Sequence, residues 1–145
     1  MAIPGRLAVT NALGEPRRRM VVVSIMLLLA AAHVIGIGRY LEGRSFELYA
    51  SYFSDLVVPF GYYFLLSLPE SQWPFLRSWE MKAGLVCLLA AAAEVLQYFG
   101  VPVLGSTFDP LDFVMYAIGA LSAAVVDRQV FSRVFGFWAR ARAGG

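Results

Sequence analysis

Four apolar segments dominate this chain, roughly Met20–Ile37, Tyr52–Leu68, Met81–Tyr98 and Phe113–Val126, the last reaching full length only with Leu111 and Phe131 at its ends. A helix needs about 17–25 mostly apolar residues to cross a hydrocarbon core, and each segment meets that length. In a chain of 145 residues almost nothing is left over for a soluble domain. Composition agrees, because 59% hydrophobic and 15% charged residues are too greasy a mixture to cover a water-facing surface. The expected fold is therefore all-α: a polytopic membrane protein built as a bundle of four transmembrane helices. Its parts are a basic arm over residues 1–19, a membrane domain over 20–131 with spans near 20–37, 52–68, 81–98 and 111–131, and a basic tail over 132–145.

The net charge of +2 says less than its distribution. Of the 12 basic residues, ten lie before the first segment (Arg6, Arg17, Arg18, Arg19), between the second and third (Arg77, Lys82) or after the fourth (Arg128, Arg133, Arg140, Arg142). Arg39 and Arg44 alone fall in the loop after the first, and the loop 100–109 has none. Basic residues accumulate on the cytoplasmic side, so this pattern predicts that both termini are cytoplasmic and that the loops 39–51 and 100–107 are outside. Topology accounts for the placement of these cations, and they are too few for a nucleic-acid surface. The Ala30–Ala31–Ala32 run resembles a signal-peptidase site, but the apolar stretch around it is long for a signal and its removal would leave three spans at odds with the charge pattern.

Against this background a few polar residues stand out. Glu94 and Gln97 close the third segment, and Asp109 and Asp112 open the fourth; each pair is spaced i, i+3 and shares one helix face. Ionisable groups in membrane helices are costly and mark cavities, pathways or helix contacts. Asp55 opens the second segment, and His33 and Arg39 belong to the end of the first, so the four-span topology collects all of them near the outer face. The inner halves read as almost purely apolar, which favours a pocket open to the outer side over a transmembrane path. Asp109, followed by Pro110, has the form of a helix cap. Asp112 shares a stripe with Tyr116, Gly119 and Ala123, which reads as a packing seam. Glu94 has no capping role, since a carboxylate is disfavoured at a helix C-terminus. His33 reads as a histidine hydrogen-bonded to a neighbouring helix, and Cys87 as a small apolar filler.

Clustered carboxylates in a low-dielectric pocket do not all remain ionised without a cation; a bound cation, pairing with Arg39 or Arg44, or a retained proton are the alternatives. No His or Cys spacing suggests a transition metal, and no cofactor is expected. Glu94 and Asp112 are the candidate acid/base pair, with Gln97, Asp109, Tyr116, Asp55, Arg39 and His33 as candidate binding residues.

The run Glu94-x-x-Gln97, Ser106-Thr107-Phe108-Asp109-Pro110-Leu111-Asp112 and Tyr116-x-x-Gly119 resembles the VanZ-like family of small membrane proteins. Glu94, Gln97, Asp112 and Gly119 match that family's pattern, whereas Ser106 replaces its usual arginine and Tyr116 its asparagine. Asp55 resembles the aspartate that opens an earlier family helix. The family takes its name from a protein associated with low-level glycopeptide resistance, so the resemblance implies a role in the bacterial cell envelope, in the cytoplasmic membrane. Two function classes follow: a protein that binds, with or without modifying, a lipid-linked or amphiphilic substrate among membrane lipid, or a non-enzymatic accessory subunit of a larger membrane complex. A transporter is disfavoured, because four spans without a repeat leave little room for alternating access.

Overall fold

The computed structural model describes residues 16–101 and 109–138, and these are helical, with no strand among the described residues. Four long helices carry the architecture: α1 Pro16–Ile35, α2 Arg44–Leu65, α3 Trp79–Tyr98 and α4 Pro110–Val125. The last continues through a π-helical segment, Val126–Phe131, and a final turn, Ser132–Val134. Two helices are long and apolar enough to cross a membrane, Pro16–Ile35 and Pro110–Val134. The other two are of similar length, 22 and 20 residues.

Local chemistry sets the ends of these helices. Pro16 opens α1, where its missing N–H costs nothing. Gly36, at φ 64°, ends α1 in the left-handed region, where a side chain would be strained. A 3-10 turn, Ile37–Tyr40, follows, and Gly43 at φ 56° starts α2. Residues 44–51, expected within the outer loop 39–51, are the first turns of α2; nothing in Arg44–Ser51 breaks a helix, and Glu47 lies in the first turn, where the helix dipole favours an acid. Ser78 caps α3, accepting from the Met81 amide at 3.3 Å. Asp109 caps α4, accepting from the Leu111 amide at 2.9 Å, with Pro110 directly after it. The basic arm, the loop 102–108 with Ser106 and Thr107, and the end of the basic tail lie outside the described residues.

Contacts between helix ends show that the four helices alternate in direction. The starts of α1 and α3 meet the ends of α2 and α4 through Arg18, Lys82, Glu70 and Asp127. At the opposite end, His33 of α1 meets Ser54 of α2, and Glu94 of α3 meets Tyr116 of α4. The most extensive contact joins α2 to α4, and it is the closest as well. Gly119 lies against the backbone of Leu56, so that a Cβ there would run into the Leu56 carbonyl. Gly119, Ala120, Ala123 and Ala124 are all buried, and this small-residue seam lets two helix backbones approach. The apolar core (Val22, Tyr63, Phe64, Val86, Ala120, Ala123, Trp138) sits between the seam and the ionic end.

A carboxyl-lined cavity and a buried ion network at opposite ends

A cavity of about 240 Å³ opens between α2, α3 and α4. Val58, Pro59, Tyr62, Val86, Leu89 and Ala90 form its apolar walls, and Ser54, Asp55 and Tyr116 its polar end. Pro59 stands inside α2 and has no N–H to give the carbonyl of residue i−4, which is Asp55. The polar end therefore has a backbone acceptor without its helical donor, beside the Asp55 side chain.

Behind this polar end three carboxyls from three helices come together. The Tyr116 hydroxyl donates to Glu94 Oε1 at 2.6 Å. Asp55 and Asp112 are within side-chain hydrogen-bonding reach of one another, Asp55 also reaches Tyr116, and the charges of Asp55, Glu94 and Asp112 act on each other. Glu94 is 1% exposed, and its second oxygen, Oε2, has no hydrogen-bond partner among the described residues. The expected pairing of Glu94 with Asp112 thus takes the form of two couples, Glu94 with Tyr116 and Asp112 with Asp55. Asp55, which sequence reasoning set at the margin, is the residue that faces the cavity.

The remaining candidates take other places. Asp109 is the α4 cap described above. Gln97 is half-buried one turn beyond Glu94. His33 contacts the Leu29 carbonyl through Nδ1 and Ser54 Oγ through Nε2, both at 3.1 Å, with its ring 5.1 Å from that of Phe53. It borders a second, more open cleft of about 180 Å³ between α1 and α2, together with Met26 and Gly61. Arg39 lies exposed on the 3-10 turn and makes no ion pair among the described residues, so it does not neutralise the carboxyls.

At the other end, where the sequence reads as apolar, the structure holds a buried ion network. Lys82, fully buried, donates to Glu70 at 2.7 Å, Asp127 at 3.1 Å and Ser67 at 3.1 Å. Arg18 donates to Glu70 at 2.5 Å. Asp127 also accepts from the Tyr63 hydroxyl at 2.7 Å and the Trp138 indole at 2.6 Å. The Arg18 guanidinium packs over the Trp138 ring, and the Lys82 ammonium over that of Tyr63. Two cations thus meet two anions with their hydrogen bonds largely satisfied, the arrangement that makes buried charge tolerable. In the sequence Arg18 and Lys82 read as topology markers. Their one collective sign is that each falls at the end of an apolar segment on the same predicted side.

No protein family model, curated protein or solved structure matches the chain.

Proposed function

We propose that this is a four-span protein of the bacterial cytoplasmic membrane, akin to the VanZ-like family, that receives an amphiphilic envelope molecule in the cavity between α2, α3 and α4. One observation carries the reading: an apolar-walled cavity ends at Asp55 and Tyr116, behind which Glu94 and Asp112 bring carboxyls from two further helices. Such a site takes a hydrocarbon at one end and a polar group at the other.

The membrane setting draws support from the arrangement of surfaces. Large aliphatic side chains point outward all along α1 and α4: Leu28 is 70% exposed, Val34 82% and Val125 58%. Charges meanwhile are gathered inside at the ion network. A water-soluble fold has the opposite distribution, and exposed apolar surface on this scale calls for lipid or a partner. Arg17, Arg19, Arg77, Arg128 and Arg133 cluster toward the ion-network end, which supports a reading with that end cytoplasmic and the cavity at the outer face. In this setting all four long helices span the bilayer, since 20 residues cover about 30 Å and α4 reaches that length with its continuation to Val134.

Native mass spectrometry of protein extracted in maltoside tests the reading. We expect a co-purifying amphiphile on the wild type and its loss from Ala90→Phe, which fills the cavity. An adduct equally abundant on both proteins, or on neither, contradicts it. A stoichiometric protein retained instead of lipid would favour the accessory-subunit alternative.

A further inference from the structure

The two ends of the molecule treat buried acid differently. At the ion-network end, Glu70 and Asp127 are matched by Arg18 and Lys82. At the cavity end, Asp55, Glu94 and Asp112 meet no basic side chain among the described residues: Arg39 is exposed on its turn, and His33 is engaged with Ser54 and Leu29. Glu94 Oε2, nearly fully buried, has no hydrogen-bond partner among the described residues. A buried carboxylate left this way is costly unless a donor or a cation reaches it. The Asp55 carbonyl, deprived of its helical donor by Pro59, adds a further acceptor at the same spot.

We propose that the missing positive charge is the ammonium group of a single-chain amphiphile, seated on Asp55 beside Tyr116, with the Glu94 carboxyl behind Tyr116, and with its hydrocarbon lying along Val58, Pro59, Tyr62 and Leu89. This deepens the proposed function and rests on it. A metal ion fits less well, because the described acidic, histidine and cysteine side chains do not converge closely enough in groups of three to hold one. An ammonium can be held by fewer anionic ligands, one carboxylate together with neutral oxygens, and Asp55, Ser54 and Tyr116 all line the cavity's polar end. Size points the same way. The cavity, at about 240 Å³, is smaller than the roughly 300–1,000 Å³ of sites for drug-sized ligands, and one chain suits it better than a two-chain lipid.

Thermal unfolding of the full chain in maltoside micelles, titrated with dodecylamine, dodecanol and dodecanoate, separates charge from chain. Dodecylamine is expected to stabilise the wild type with an apparent affinity at least tenfold above the other two. Asp55→Asn and Glu94→Gln, both near-isosteric, are each expected to lower the dodecylamine affinity at least tenfold and to leave dodecanol unchanged. Equal stabilisation by all three chains overturns the ammonium while sparing the amphiphile reading. Stabilisation by none overturns both. Because the comparison of the three chains is made on the wild type alone, it stands even if a variant fails to fold.

Discussion

Tyr116 occupies the position where family resemblance would set an asparagine, and its hydroxyl is the donor that reaches Glu94. Phenylalanine at this position would leave a nearly fully buried carboxyl with neither oxygen bonded. Losing one partner of a buried hydrogen bond costs about 1–3 kcal/mol, more when the stranded group is charged. Tyr116→Phe should therefore lower the unfolding midpoint in detergent, and Glu94→Gln in the same background should recover part of the loss; no change on either substitution contradicts the contact. Lys82 is the sharper case. It bridges Glu70 and Asp127, and Lys82→Met takes a cation from both buried acids, leaving Glu70 with Arg18 and Asp127 with the Tyr63 and Trp138 donors. Breaking a buried ion pair from one side costs about 3–5 kcal/mol. A midpoint within error of the wild type would show that the network is absent. Legibility at this scale was uneven. Glu94 declared itself, because a carboxylate late in an apolar helix has no local explanation. Lys82 and Arg18 did not, because a cation at a segment end already has one in topology, and only the tertiary fold shows that their side chains turn inward.

Between α2 and α4 the backbones approach most closely at Gly119, and this contact sets how Asp55 and Asp112 meet. A methyl group at 119 would press on the Leu56 carbonyl, which belongs to the helix backbone and yields little. Overpacking of this kind costs about 1–3 kcal/mol. Gly119→Ala is expected to destabilise by that amount and to weaken amphiphile binding, whereas Gly84→Ala, where a Cβ meets nothing within 4 Å, should be neutral. Equal effects at the two glycines contradict the seam. The alternation of apolar and small residues made the long helices and this seam readable from the sequence, and Asp109–Pro110 announced the start of α4. The first turns of α2 were not joined to the second segment, because charges of both signs over 44–51 suit a water-facing stretch outside the span. The π-helical segment Val126–Phe131 had no sequence signature, yet it carries Asp127 into the ion network.

At the scale of the whole molecule, the proposed protein is polarised with respect to a membrane: an ion network of paired charges toward the cytoplasm, a cavity with carboxyls unpaired by any described basic residue toward the outside, and aliphatic surface between. The all-helical fold followed from segment length and composition, while the contrast between the two ends did not, because it depends on which charges pair. The most direct test is sided labelling of single cysteines in intact cells, in a Cys87→Ser background, with a thiol reagent that does not cross the membrane. Ser45 and Ser71 are both exposed, the first at the start of α2 near the cavity end, the second on the turn after α2 near the ion network. Ser45→Cys is predicted to label in intact cells, and Ser71→Cys only after permeabilisation. Labelling of Ser71→Cys from outside would contradict the account.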